Sequence, residues 1–311
     1  MRSNNRPRVR GEVAKSAATE PRPSLYDEVT TRIVAELEAG RFPWVQPWGS
    51  TGTAAPGLPR NAVTSRTYSG VNILLLWAAC IAHGHASQSW LTFRQAVAAG
   101  GCVRKGERGV TVVYADRFIP KGEAERAARE DEDARAVPFL KRFTVFNVAQ
   151  CEGLQPGLAC DPAPLPERKI VPIAEALIAA TGVDLRVGGD KAYYAPSADY
   201  VAVPPQVAFF DQINYYRTCL HECAHATGAS HRLDRSFNER WTRHALAMEE
   251  ATAELTASFI LADLGLAHEP RPDHAAYIAS WLQLLKDEPR AIFTAASKAQ
   301  VAADWMHTRQ P

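Results

Sequence analysis

An α+β chain in two domains is what this sequence predicts, and three features carry the prediction. Val110-Thr111-Val112-Val113-Tyr114 and Arg142-Phe143-Thr144-Val145-Phe146-Asn147-Val148 read as a pair of strands among helical segments in the front half. In the back half, short strands precede a helical segment carrying His221-Glu222-Cys223-Ala224-His225, and further helices follow. Between the halves, four prolines from Gln155 to Glu167 read as a linker. Charge divides at the same place. Residues 1–150 carry 21 Lys and Arg against 14 Asp and Glu, and the remainder carries 14 against 20, although the whole chain is only +1. The expected layout is a disordered basic tail over 1–22, a front domain over 23–154, the linker over 155–168 and a back domain over 169–311.

Taken in order, Leu25 to Leu37 is expected to be a helix capped by Ser24, with Val29, Ile33, Val34 and Leu37 on one side. Phe42-Pro43-Trp44-Val45-Gln46-Pro47-Trp48 is a stiff aromatic loop. A second helix runs from Asn72 to His83, and Ser89 to Gln95 is read as the opening of a third. Gly100 to Gly109 is a glycine-rich basic turn leading into the first strand, and Gly122 to Ala136 an exposed charged stretch. Beyond the linker, Val171 to Ala180 is helical. Leu185–Val187, Ala192–Tyr194 and Tyr200–Val203 are short strands, with turns at Gly188-Gly189 and Pro196-Ser197. The motif helix follows, with Asp211 as its cap and Gly228 as its glycine stop. After it come a glutamate-bearing helix, Glu249 to Leu264, and closing helices Tyr277–Leu285 and Ala291–Met306.

H-E-x-x-H places two imidazoles on one helical face, where they can share a tetrahedral ion, and sets a carboxylate beside a water on that ion. His221 and His225 are therefore candidate ligands and Glu222 a candidate general base. A third protein ligand is needed. Glu250 and Glu254 lie four apart on the following helix, so the reading makes Glu250 the ligand and Glu254 the carboxylate that orients a ligand histidine. His231 completes a metzincin-like spacing and stays open as an alternative, as does Glu254; neither Met248 nor Met306 fits a methionine turn. The expected cofactor is one divalent ion, zinc first and manganese as the alternative, since His-His-Glu accepts several. Cys219 and Cys223 flank the motif and read as small buried residues.

The basic front half is the candidate for a polyanion. Trp44 and Trp48 can stack on unpaired bases or pack into the core. Arg60, Arg66, Tyr68, Asn72 and Trp90 join them as candidate DNA contacts, as do Arg104, Lys105 and Arg108 of the glycine-rich turn, which has no P-loop spacing. No run of eighteen apolar residues is present, so no membrane partner is expected. Six cysteines without a C-x-x-C pair, and an N-terminus without a hydrophobic leader segment, fit a reduced, cytoplasmic protein.

The sequence resembles the ArdC-type antirestriction proteins of conjugative plasmids and the related N-terminal region of some plasmid primases, over nearly all of residues 24–311. In front, the resemblance rests on Pro43-Trp44…Pro47-Trp48, Asn61…Tyr68-Ser69-Gly70-Val71-Asn72…Leu75, Trp90-Leu91-Thr92-Phe93, Lys105-Gly106-Glu107-Arg108-Gly109 and Phe143 to Asn147. Behind, it rests on His221 to Gly228, Arg232-Leu233 and Glu249-Glu250…Ala253-Glu254-Leu255. One departure stands out: family members often have His directly after the motif glycine, where this chain has Ala229. The resemblance implies a single-stranded-DNA-binding front domain, a zincin-like back domain and protection of incoming DNA from host restriction. Two functions are expected from it. One is a metallopeptidase tethered to a single-stranded-DNA-binding domain, with an unidentified protein substrate. The other is a DNA-coating protein whose metal site does no chemistry. A nuclease or primase accessory ranks last, because no carboxylates are spaced for a pair of magnesium ions.

Overall fold

The computed structural model describes residues 24–40, 57–120, 122, 123, 126, 137–155, 157, 158, 167–209, 212–235, 242–266 and 274–309. The tail, the Trp44 and Trp48 loop, Asp211 and most of the charged stretch and linker lie outside these residues.

The front region begins with α1 (Leu25–Glu38), where Ser24 and Asp27 form the reciprocal cap that starts the helix. Its remaining elements are β1 (Arg60–Asn61), α2 (Val71–His83), β2 (Ser89–Thr92), α3 (Phe93–Ala98), β3 (Cys102–Val103), β4 (Val110–Phe118), β5 (Val137–Asn147) and β6 (Cys151–Glu152). The four-stranded sheet has the order β1-β2-β5-β4. β4 and β5 pair antiparallel from Val110 opposite Val145 to Phe118 opposite Val137, as their alternation predicts, and β1 pairs parallel with β2.

Two local expectations are corrected. Ser89 to Thr92 is a strand and not the first turn of a helix, because Trp90 and Leu91 are buried on an inner strand between β1 and β5. The helix starts only at Phe93, where Thr92 and Gln95 form a capping box. The glycine-rich turn is also not all turn: Cys102-Val103 pairs antiparallel with Cys151-Glu152.

The back region runs α4 (Glu167–Ala180), β7 (Asp184–Val187), β8 (Tyr193–Ala195), β9 (Tyr200–Val203), α5 (Gln212–Ala226), α6 (Arg243–Asp263), α7 (His274–Asp287) and α8 (Ala291–His307). Its three strands order as β7-β9-β8, so β9 is central and β8 is an edge.

The two regions share one hydrophobic cluster. Ile33 and Leu37 of α1 and Leu74 and Trp77 of α2 pack with Leu177 of α4, Val201 and Val203 of β9, Leu220 of α5, Phe259 of α6 and Met306 of α8. The Trp77 and Phe259 rings meet edge to face, centroids 6.1 Å apart. α2 explains why. Ile73, Leu74, Leu75, Leu76 and Trp77 are all at most 2% exposed, and a helix apolar all round must be covered all round. Leu76, Ala79 and Cys80 enter a second cluster under the front sheet with Trp90, Val110, Val112 and Val145. Each such large side chain stabilises by about 1.5–3 kcal/mol, so α2 ties the front sheet firmly to the helices behind it. The motif helix α5 is fixed within this framework.

Candidate metal centre

α5 buries Cys219, Leu220, Cys223 and Ala224 completely. Burial pushes the Cys219 thiol up to about 12 and the Cys223 thiol up further, so both are neutral packing groups, as the sequence suggests. The helix stops at Ala226, but not through a left-handed glycine: Gly228 is not among the positive-φ residues. Instead Gly228 N–H bonds the His225 carbonyl and Ala229 N–H the Ala226 carbonyl, tightening the chain into successive three-residue turns.

His221 and His225, one turn apart, project toward α6. The rings meet edge to face with centroids 4.9 Å apart. Glu250 lies between them, with Oε2 3.5 Å from His221 Nε2 and Oε1 3.6 Å from His225 Nε2. One donor atom from each of the three residues lies within 4.8 Å of the other two. Donors about 2.0–2.1 Å from a tetrahedral ion stand about 3.3 Å from one another, so these separations fit one small divalent ion with a position left open.

The far side of each ring faces a carboxylate. His225 Nδ1 hydrogen-bonds Glu249 Oε1 at 3.2 Å. His221 Nδ1 stands 3.4 Å from Glu254 Oε2, an ion-pair approach rather than a formed hydrogen bond. Carboxylates at Nδ1 favour the tautomer whose Nε2 lone pair points inward, the state a ligand needs. Each carboxylate is held by a buried arginine. Arg217 pairs with Glu254. Arg235 clasps Glu249 in a fork, Nε to Oε2 at 3.0 Å and Nη2 to Oε1 at 2.7 Å. The same guanidinium donates to the Ala224 carbonyl at 2.6 Å, capping the C-terminus of α5.

The electrostatics follow from this crowding. Burial works against charge on His225, but Glu249 and Glu250 more than reverse it and raise its pKa to about 10. His221 is also raised: Glu250 and Glu254 outweigh its burial. Burial works against the Glu250 carboxylate too, yet the two imidazoles hold it well below the usual carboxylate range. A cluster that draws protons onto its imidazoles this strongly is electronegative at its centre, and a cation answers that charge as a proton does.

Glu222 stands apart from these three glutamates. It is 8% exposed, and its carboxylate makes no hydrogen bond or ion pair with another described residue. His231 does not join the cluster. Its side chain is 60% exposed and lies 3.3 Å from Asp199, because the turns after α5 direct Arg232 inward instead, onto Asp199 and the Ala226 carbonyl. Sequence reasoning missed Glu249, Arg217 and Arg235. Glu249 adjoins Glu250, about 100° further around the helix, and that phase alone could have nominated it. No local pattern points to the arginines.

Arg235 yields a direct prediction. Arg235→Met keeps the volume but frees Glu249 and uncaps α5. Metal affinity is expected to fall about 10–100-fold, the range for losing a partner behind a ligand histidine. Titration of the metal-free protein against a chelating indicator measures this.

The candidate DNA residues sort differently. Trp90 is fully buried, edge-on to His85, and presents no face to a base; the expected stacking role gives way to a core role. Asn72 uses its amide on the backbone of Val113, with two 2.8 Å bonds that extend the sheet toward α2. Tyr68 is half-buried against the second cluster, and Arg60 donates to Ser89 at 3.2 Å. Arg104 donates to Glu107 and to the Ala149 carbonyl. Arg66, Lys105 and Arg108 are exposed, and their side chains make no hydrogen bond or ion pair among the described residues. Trp44 and Trp48 lie outside those residues.

Comparison with known proteins gives concordant matches. The profile of MPTase-PolyVal, a zincin-like metallopeptidase family, matches residues 172–298, and that of the N-terminal domain of the anti-restriction factor ArdC matches residues 23–146. The uncharacterized protein y4eC of Sinorhizobium fredii is 48% identical over 293 residues, 92% of either chain. The DNA primase TraC of Escherichia coli is 34% identical over 298 residues, which are 92% of this chain but 20% of the primase. Among solved structures, the metal-free antirestriction protein ArdC from plasmid R388 aligns with a TM-score of 0.77 at 38% identity, covering 92% of this chain and 97% of that one. Its Mn(II)-bound form aligns at 0.75 with 37% identity, covering 92% and 98%.

Proposed function

The chain belongs to the ArdC family of antirestriction proteins and carries a zincin-like domain, and from that premise we propose that it is a metal-dependent peptidase joined to a single-stranded-DNA-binding region. One observation carries the peptidase reading: His221, His225 and Glu250 converge on a common point while Glu222, beside them, keeps an uncommitted carboxylate. A divalent ion bound there supplies a Lewis acid for a peptide carbonyl and acidifies a water. His221 and His225 donate through Nε2 and Glu250 through a carboxylate oxygen. Glu249 and Glu254 keep the two rings in the required tautomer, and the arginines behind them keep the carboxylates in place. Glu222 takes the proton of the attacking water and returns it to the departing amine. Zinc and manganese both suit this donor set, and Mn(II) is what the related ArdC structure holds.

Exposed, uncommitted Arg66, Lys105 and Arg108 support the DNA half, as does the relationship to DNA primases. Contacts of this kind read phosphate and not sequence, and each one lost lowers the salt dependence of single-strand binding by about 0.7 in slope. Replacing all three with Ala is expected to reduce that slope by about 2 and to weaken oligonucleotides of every sequence alike. Fluorescence anisotropy across a salt series checks this; an unchanged slope places the DNA contacts elsewhere.

The peptidase reading is tested by incubating metal-loaded protein with a peptide digest of a bacterial lysate and reading new termini by mass spectrometry. Cleavage that a chelator stops and added metal restores is the expected result. Complete absence of cleavage leaves a DNA-coating protein of the same fold.

A further inference from the structure

Beside the motif helix is a cavity that the metal chemistry does not use. It has a volume of about 430 Å³, and its lining includes Asp190, Ala192, Pro204, Ala208, Phe209 and Thr218. Two of these residues fix its position relative to the reacting centre. Thr218 precedes Glu222 by one helical turn, so both lie on one face of α5, about 5–6 Å apart at Cβ. Ala192 immediately precedes β8, the edge strand that packs against α5. β8 pairs with β9 on one side and has no strand on the other among the described residues. An extended peptide added to that edge keeps alternate side chains on one face and carries them past the cavity mouth.

The lining has a definite chemistry. Ala192, Pro204, Ala208 and Phe209 supply the apolar part of the lining. Thr218 spends its hydroxyl on the Asn214 carbonyl, 2.9 Å away. Among the described residues Asp190 is the one charged group in the lining, and its carboxylate makes no hydrogen bond or ion pair with any of them. Lys191, next in the chain, is exposed and does not line the cavity. An apolar wall with a single free carboxylate suits a long aliphatic side chain ending in a cation.

We propose that this cavity receives a lysine or arginine side chain of the protein substrate, adjacent to the bond that is cut, and that Asp190 selects it. The inference rests on the peptidase reading given above and adds a substrate class to it. The occupant is cationic because, among the described residues, the lining offers one carboxylate and no cationic side chain to meet an acidic one.

The test uses the metal-loaded full-length protein and a peptide digest of a bacterial lysate. Cleavage sites are compared for wild type, Asp190→Asn and Asp190→Lys, with Glu222→Gln as the blank. Wild type is expected to enrich Lys and Arg at one fixed position flanking the cut. Asp190→Asn should lower that enrichment about tenfold, and Asp190→Lys should replace it with Asp and Glu. Ala208→Trp, which fills the cavity from another side, should remove the preference while leaving metal content unchanged. Glu222-dependent cleavage with no basic preference, or with a preference that survives Asp190→Asn, overturns the cavity assignment and leaves the peptidase standing. No Glu222-dependent cleavage at all overturns both.

Discussion

Glu222→Gln should abolish turnover while leaving metal and DNA binding intact. The amide keeps the shape of the carboxylate and cannot take a proton. A positioned general base contributes about 10²–10⁴ in rate, so kcat/KM should fall about 10³-fold, close to 4 kcal/mol of transition-state stabilisation. The other glutamates on this surface cannot take over: Glu250 faces both imidazoles, Glu249 is clasped by Arg235 and Glu254 by Arg217. Metal content and single-strand affinity of the variant should match wild type. Turnover that survives the substitution removes Glu222 from the chemistry. Loss of metal along with turnover makes it a structural residue of the site.

Glu250→Ala is expected to act one step earlier, on the ion itself. Among the described residues Glu250 is the one side chain that meets both Nε2 atoms, so its removal leaves two donors where three converge. Losing a donor should weaken metal affinity by more than the roughly 10–100-fold expected for the partners behind the histidines. The difference is readable in the folded state. At a metal concentration about 100 times Kd, wild type gains about 2.7 kcal/mol of stability and a higher Tm, whereas the variant should gain almost none. Elemental analysis of both proteins after dialysis completes the measurement. Unchanged metal in the variant would move the third donor to Glu254, whose carboxylate lies 3.4 Å from the His221 ring.

How legible all this is from sequence depends on how local the cause is. The caps are local: Ser24 with Asp27 declares where α1 begins within four residues. The pairing of β4 with β5 shows in their shared alternation. The geometry of His221, His225 and Glu222 follows from helical spacing. Glu250 needed more, a choice among Glu250, Glu254 and His231, and only the crossing of α5 and α6 shows which of them approaches both rings. Trp90 misled for a related reason. As an aromatic of the basic front half it read as a DNA contact, but its strand lies between β1 and β5 and is buried there, a long-range event with no local signature. The arginines behind the site, and the packing of α1 and α2 into the helices behind, are likewise products of tertiary contact.

The most direct measurement is anomalous diffraction at the zinc edge from crystals of the metal-loaded protein. The expected result is one peak per chain, about 2.0–2.2 Å from His221 Nε2, His225 Nε2 and a Glu250 oxygen. A peak beside His231 and Asp199, or none near α5, would contradict the account.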